Sequence, residues 1–126
     1  MQKLSESPEL LEVGGERRDI SIVFTDLEGF TSFVESNEAS VVVPLLNGYL
    51  DELIKVAFDH DGTVDKIVGD SVIVIFGAPV TQLDHPDRAI ACALAMDAVA
   101  ERYRSMIQSS LKFGITRIGV NSGFAI

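Results

Sequence analysis

The chain has 126 residues, of which 47% are hydrophobic and 23% charged, and its formal net charge is −9. This length and composition are those of one globular domain with a sizeable core. The acidic surplus argues against nucleic acid and anionic lipid as partners, because like charges repel. No apolar stretch approaches the roughly 20 residues that span a bilayer. We therefore predict no membrane insertion by this chain, and any tether of a longer parent protein would lie upstream.

Cysteine usage indicates a reducing compartment. Cys92 is the only cysteine, which excludes an internal disulfide. It lies in an apolar helical pattern, which predicts a buried and unreactive thiol. We therefore expect a cytoplasmic protein.

The N-terminal part of the chain predicts a tail followed by a strand. Residues 1–17 are polar and irregular, with Pro8 and the pair Gly14-Gly15, and are predicted to form a linker or tail. A linker at this position suggests that a parent protein has a further region upstream. Residues 18–126 are predicted to form one domain. Its first strand should run from about residue 19 to 26, because Ile20 to Phe24 is a β-branched and aromatic run.

Two helices should follow the first strand. Residues 31–35 favour a short helix and residues 39–59 a long one. The apolar side chains of the long helix recur every three or four residues: Leu45, Leu46, Tyr49, Leu50, Leu53, Ile54, Ala57 and Phe58. Pro44 is tolerated only in a first turn, so this helix should either begin near Val43 or kink there. Gly62 is the expected left-handed residue that ends it.

A hairpin and another helix are predicted next. Strands at 63–68 and 71–76 are separated only by Gly69 and Asp70, which fits a tight turn with positive φ at the glycine. Pro86 suits the first position of a helix that should reach about residue 109.

The last element predicted is a strand at 112–120, with a turn or bulge at 121–123. The order strand, helix, strand, strand, helix, strand is that of the ferredoxin-like, split β-α-β arrangement. The predicted fold is therefore α+β, with helices on one face of a mainly antiparallel sheet.

Asp26 and Asp70 should meet in this topology. Asp26 ends the first strand, and Asp70 lies in the hairpin before the third strand, which pairs antiparallel with the first. Two bare carboxylates at about 4 Å repel each other, so either one takes up a proton or a divalent cation bridges them. Because Gly29 opens the next helix beside them, we predict one or two Mg²⁺ or Mn²⁺ ions that hold a polyphosphate. The simpler alternative is a capping aspartate and an unrelated hairpin aspartate.

Two motifs carry a further resemblance: Phe24-Thr25-Asp26-Leu27-Glu28-Gly29-Phe30-Thr31, and later Val64-Asp65-Lys66-Ile67-Val68-Gly69-Asp70. Together they resemble the class III adenylate/guanylate cyclase catalytic domain. The resemblance extends from about Glu16 to Ile126, and it includes Gly77-Ala78-Pro79, His85-Pro86-Asp87-Arg88-Ala89 and Arg117-Ile118-Gly119-Val120-Asn121-Ser122-Gly123.

The resemblance implies a site for a nucleoside triphosphate and two Mg²⁺ or Mn²⁺ ions. The implied metal ligands are Asp26, Asp70 and the Leu27 backbone carbonyl; the implied phosphate-binding backbone is that of Glu28, Gly29, Phe30 and Thr31. Lys66 stands where adenylate cyclases place a purine-reading lysine and guanylate cyclases usually place glutamate, which favours ATP over GTP. In the family's reaction the ribose 3′-hydroxyl attacks the α-phosphate and pyrophosphate leaves. One metal lowers the hydroxyl pKa and the other neutralises the triphosphate.

The chain departs from the family pattern at its end. Domains of this family continue beyond the position of Ile126, and that part carries a second purine-contacting residue and the asparagine and arginine that stabilise the transition state. We therefore expect no catalytic residues here beyond the metal ligands, and little or no cyclase activity from this fragment. Active sites of the family lie between two protomers, so a homodimer is expected for the intact protein.

Two other interpretations remain open. A phosphatase of the haloacid-dehalogenase type also begins with an apolar strand that ends in Asp, and its sheet is parallel. That motif needs a second Asp where Glu28 stands and Thr where Phe30 stands. The alternative without enzymatic activity is a degenerate cyclase-like domain that only binds nucleotide or pairs with a partner. Titration with ATP and metal, with turnover assayed in parallel, separates it from a cyclase.

Overall fold

A computed structural model describes residues 18–107 and 113–125. In chain order the elements are β1 (Arg18–Glu28), α1 (Phe30–Ser36), α2 (Ala39–Asp59), β2 (Thr63–Val68), β3 (Ser71–Phe76), α3 (His85–Met106) and β4 (Ile115–Ala125). The tail predicted at residues 1–17 lies outside the described residues. Within the described ranges, no helix combines the length and the apolar character needed to cross a bilayer.

The four strands form one sheet in the order β2-β3-β1-β4, in which each neighbouring pair is antiparallel. β1 and β2 therefore point the same way without touching, and their C-terminal ends lie at the same edge. This topology confirms the predicted ferredoxin-like α+β fold. The described strands contain no parallel pair, which removes the haloacid-dehalogenase alternative.

The core lies between the sheet and the helices. Every second residue of β3 is fully buried, at Val72, Val74 and Phe76, as expected when one face of a strand packs on a core. The same alternation in β1 buries Val23, Thr25 and Leu27, and α2 and α3 cover these positions with Tyr49, Leu53, Cys92 and Met96. The alternate residues of β1 occupy the other face of the sheet, where Phe24 is 51% exposed.

The boundaries of two strands differ from the sequence-based expectations. β4 continues through residues 121–123, where a turn or bulge was predicted, because each residue from Ile115 to Ala125 is in register with β1. β1 extends past Asp26 to Glu28. α2 spans Ala39–Asp59, the range predicted, and it contains Pro44, so of the two alternatives at this proline a start near residue 43 is wrong.

The left-handed residue after α2 is Asp61, with φ of 61°, so the prediction for Gly62 is wrong. Gly62 is required for a different reason. A Cβ atom there would lie 2.5 Å from Val74 Cγ1 and 2.8 Å from Phe76 Cζ. The chain therefore passes so close to the sheet at this point that only glycine fits without repacking β3.

Cys92 is fully buried, and burial raises the pKa of its thiol to about 11. The thiol therefore stays protonated at neutral pH and is a poor nucleophile. The prediction of an unreactive buried cysteine is confirmed.

His85 joins the start of α3 to the sheet. Its Nδ1 lies 2.7 Å from the Ser21 hydroxyl, and its Nε2 lies 3.3 Å from the Asp19 carboxylate. In the neutral ring that fits these partners, Nε2 donates to Asp19 and Nδ1 accepts from Ser21. The three residue types match a hydrolytic triad, but Ser21 is 0% exposed and cannot meet a substrate. The group is a structural bridge between β1 and α3.

Replacement of His85 by alanine should therefore lower the free energy of unfolding by about 1–3 kcal/mol, since it removes one of the two side-chain partners of the buried Ser21 hydroxyl, the other being the Ser122 hydroxyl. Urea denaturation followed by circular dichroism measures the change. His60→Ala is the matched control, because His60 follows α2 and its ring bonds the Val56 carbonyl one turn back in the same helix, without joining α2 to the sheet. Equal midpoints for the two variants would contradict the bridging role.

Candidate functional site

The site is built where β1 ends and the β2–β3 hairpin turns. Asp26 lies on the face of β1 opposite to the buried Leu27, and Gly29, with φ of 83°, then directs the chain into α1. Asp70 is the second residue of the hairpin turn, after Gly69 with φ of 59°. The positive φ predicted at Gly69 is confirmed, and it matches a two-residue hairpin turn of type II′, in which only the first central residue has positive φ.

The hairpin is attached to the end of β1 by Asp70. The Leu27 backbone N–H donates a 2.6 Å hydrogen bond to Asp70 Oδ2. Bonds of this kind, from an amide to a carboxylate, are among the stronger ones in proteins. The prediction that the hairpin aspartate lies beside the end of the first strand is confirmed.

Asp26 is paired with Arg117 of β4. The guanidinium donates two hydrogen bonds, from Nε to Oδ1 at 2.8 Å and from Nη2 to Oδ2 at 2.9 Å, and the two residues are directly opposite in the β1–β4 register. Bonding to Asp26 and its charge hold the pKa of Arg117 above its usual value, and the charges of Glu28 and Asp70 add to this effect. The sequence analysis did not identify Arg117 as a site residue.

These groups line an open cleft of about 600 Å³. Its walls are Asp26, Leu27, Glu28, Gly29, Phe30, Thr31, Ser32, Glu35, Asp70, Ser71 and Arg117. The residues predicted to hold metal and phosphate are therefore together in one cleft. Among these described residues four are carboxylates and one is a cation, so the cleft attracts divalent cations. The side chain of Lys66 lies outside the described part of the chain; the backbone register places Lys66 opposite Ile73 of β3.

The donor set fits a magnesium-type metal. The described residues contain no group of three or more His, Cys, Asp and Glu arranged to hold an ion, as a closed zinc or calcium cage would require. Mg²⁺ instead uses one or two carboxylates and completes its shell with water and substrate phosphates. Asp26 and Asp70, in an open cleft, supply such a partial shell.

A smaller groove of about 360 Å³ adjoins the cleft on the uncovered face of the sheet, lined by Phe24, Asp26, Arg117, Ile118 and Gly119. The Phe24 ring lies directly over Gly119, where a Cβ atom would come within 2.3 Å of Cζ. Asp26 and Arg117 line both spaces. The charged cleft therefore continues into a groove whose one aromatic lining residue is Phe24.

Behind the cleft, Tyr49 links α2 to β4. Its hydroxyl lies 2.7 Å from Thr116 Oγ1, and Thr116 is opposite Leu27 in the sheet. Burial raises the pKa of Tyr49, and the charges of Asp70 and Asp26 raise it further, so the phenol stays neutral at physiological pH. From sequence, Tyr49 was recognised only as a member of the apolar face of α2.

Comparisons with known proteins agree with this geometry. A model of the adenylate and guanylate cyclase catalytic domain matches residues 14–126. Adenylate cyclase 1 of Rhizobium meliloti (strain 1021) is 35% identical over 111 residues, which are 87% of this chain and 17% of that protein. The crystal structure of the guanylyl cyclase Cya2 is similar, with 37% identity and a TM-score of 0.72, over 87% of this chain and 56% of that one. The adenylyl cyclase CyaB from P. aeruginosa is similar, with 34% identity and a TM-score of 0.67, over 86% of this chain and 58% of that one.

The chain thus spans about a sixth of the length of the curated relative and just over half of each of the two solved chains. The two solved structures are named for different purines, one a guanylyl and the other an adenylyl cyclase. The likeness alone does not select the nucleotide.

Proposed function

Because the chain belongs to the adenylate and guanylate cyclase catalytic domain family, we propose that it supplies the metal- and triphosphate-binding part of a nucleotidyl cyclase. The proposed reaction converts ATP to cyclic AMP and pyrophosphate for signal transduction. The observation that carries the proposal is the bond from the Leu27 N–H to Asp70, which holds the hairpin carboxylate at the strand end that bears Asp26. Two carboxylates from separate motifs thereby share one cleft.

The proposed cofactors are two Mg²⁺ or Mn²⁺ ions held by Asp26, Asp70 and the backbone carbonyl of Leu27. When bound, such ions lower the pKa of an attacking hydroxyl and neutralise phosphate charge. The protein contributes by holding the metal-binding carboxylates in fixed positions. Asp70 is oriented by a backbone N–H, and Asp26 extends from β1, one of the two inner strands of the sheet, so neither carboxylate depends on a free loop for its position.

Charge explains why the triphosphate needs the metal. Four carboxylates and one guanidinium line the cleft, so a polyphosphate alone would be repelled. Cations at Asp26 and Asp70 reverse this balance. The backbone from Glu28 to Thr31 then borders the same space, and the first N–H groups of α1 have no carbonyl of their own helix to bond. We assign this segment to the terminal phosphates.

The choice of ATP over GTP rests on Lys66 in β2. A lysine at this position of the motif supplies a donor to an acceptor on the base, whereas a glutamate would accept from the exocyclic amine of guanine. We further propose that the intact protein works as a homodimer in the cytoplasm. The single buried thiol supports the reducing compartment.

The test is titration of the chain with ATP and with GTP in the presence of Mn²⁺, by calorimetry, with cyclic nucleotide and pyrophosphate assayed in parallel. We expect ATP to bind at least about fivefold more tightly than GTP, and Lys66→Glu to remove or invert that preference by loss of one charged hydrogen bond. Binding without product agrees with the expectation of little or no cyclase activity from this fragment, whereas formation of cyclic AMP would contradict that expectation. Absence of metal-dependent nucleotide binding would refute the proposal.

A further inference from the structure

We propose that the Tyr49 hydroxyl is a positioning group for the metal site: through Thr116 and Leu27 it keeps Asp70 directed into the cleft. This inference rests on the proposed function, because it concerns one of the same two carboxylates. It goes beyond that function by giving α2 a part in metal affinity, although no residue of α2 is among the described residues that line the cleft.

The first contact joins α2 to the start of β4. Tyr49 is fully buried, and its hydroxyl lies 2.7 Å from Thr116 Oγ1. β4 begins at Ile115 and is an outer strand of the sheet, and the ends of such elements are among the parts of a fold that open most easily. The bond from a buried side chain to the second residue of β4 therefore restrains this end of the strand.

The second contact passes from β4 to β1. Thr116 and Leu27 are directly opposite each other in the register. Leu27 directs its N–H away from β4, to Asp70 of the hairpin. The two residues are therefore a non-hydrogen-bonded pair of the antiparallel ladder, the kind in which opposing side chains lie closest. The restrained Thr116 thus lies against the residue whose N–H holds Asp70.

The ring of Tyr49 has a role separate from that of its hydroxyl. It meets the Phe113 and Tyr103 rings edge-on, with centroids 5.1 and 5.7 Å apart, and Phe113 meets Phe33 of α1 in the same way at 5.3 Å. These four rings belong to the core, and their packing depends on the rings rather than on the phenol oxygen. Tyr49→Phe therefore separates the positioning bond from the packing of the core.

The experiment compares Tyr49→Phe with the original chain by two measurements. Without metal, exchange of the Leu27 amide proton in D₂O, followed by nuclear magnetic resonance, should become about three- to tenfold faster, because the end of β1 opens more often. The Val74 amide, in the inner strand β3, should be accelerated by a smaller factor. Titration with Mn²⁺ should show an affinity about two- to fivefold weaker. This loss is smaller than the roughly 10- to 100-fold loss for a direct outer-shell partner, because Tyr49 acts through two residues.

Tyr103→Phe is the matched control. It makes the same substitution in the same group of rings, but the Tyr103 hydroxyl bonds Glu52 of α2. Its Leu27 exchange rate and its Mn²⁺ affinity should therefore change less than about twofold. Thr116→Val should reproduce both effects of Tyr49→Phe. Thr116→Ser should stay within about twofold of the original chain, since it keeps a hydroxyl for Tyr49.

An unchanged Leu27 exchange rate or an unchanged Mn²⁺ affinity in Tyr49→Phe overturns the inference. Acceleration of Leu27 and Val74 by equal factors also overturns it, because a general loss of stability then explains the effect. So do equal effects of Tyr49→Phe and Tyr103→Phe. Failure of the proposed function gives a different result, in which Asp26→Asn and Asp70→Asn leave Mn²⁺ binding unaltered. The exchange measurement needs no metal, so it then still decides whether Tyr49 holds Leu27.

Discussion

Replacement of Asp70 by asparagine is expected to weaken Mn²⁺ binding by on the order of 100-fold or more, since losses of 10- to 100-fold already follow from outer-shell changes. The variant removes one of the two carboxylates of the proposed site. Its amide oxygen has the shape to keep accepting from the Leu27 N–H, whose bond to Asp70 now measures 2.6 Å, so the hairpin should stay attached to β1. Calorimetric titration with Mn²⁺ measures the loss directly.

The control for this variant is Asp97→Asn. Asp97 is exposed on α3 and is not among the residues that line the cleft, so it makes the same change of charge without touching the site. The thermal melts of both variants should match that of the original chain. Mn²⁺ binding that survives in Asp70→Asn at its original affinity would remove the metal assignment and, with it, the main support for the proposed function.

The second large effect is expected for Gly114→Ala, which should destabilise the fold by about 3 kcal/mol or more. Gly114 has φ of 100°, and a Cβ atom there would lie 2.1 Å from the Glu28 carbonyl oxygen. The clash is with backbone, which cannot rotate away as a side chain can. Since Glu28 is the last residue of β1, relief of the clash would also disturb the wall of the cleft. Urea denaturation gives the change in free energy.

Gly123→Ala is the matched control, because Gly123 lies within β4 whereas Gly114 immediately precedes it. Among the described residues other than its two chain neighbours, no atom lies within 4 Å of the Cβ position at Gly123, and its φ is not in the left-handed region. Gly123→Ala should lower the free energy of unfolding by less than about 1 kcal/mol. It is chemically the same substitution as Gly114→Ala. If both variants unfold at the same urea concentration, the close approach of residue 114 to β1 does not exist in solution.

The parts of the site that the sequence predicted are those with a local signal. Gly69-Asp70 stands between two strand patterns, which fixes a two-residue turn at that point. Asp26 ends a β-branched run, and the order of the elements then suffices to bring it to Asp70. Neither step requires the exact register of any two strands.

Arg117 was missed because its position depends on register. It lies opposite Asp26 only when β1 and β4, which are 91 residues apart at this pair, align in one way out of several. Local sequence does not encode that alignment. The same pairing explains why residues 121–123 form strand where a turn or bulge was predicted. Pairing with β1 overrides the local turn preference of Asn121-Ser122-Gly123.

The left-handed residue that follows α2 was mispredicted for a related reason. Asp61 and Gly62 both tolerate a left-handed conformation, and sequence rules favour the glycine. In the structure Gly62 packs closely against Val74 and Phe76. The left-handed conformation is adopted by Asp61 instead. Contacts across the fold, not local preference, decided between two adjacent residues.

The pairing of β1 with β4 also bears on the order in which the protein assembles. β2 and β3 are joined by two residues and can pair early, whereas Asp26 and Arg117 meet only after a loop of 91 positions closes. Closing long loops is the slow, entropically costly part of folding. A chain that has formed its helices and hairpin but not yet docked β4 would hold Asp26 without its arginine. We therefore expect the charge balance of the cleft to be set late in folding, when β4 docks on β1.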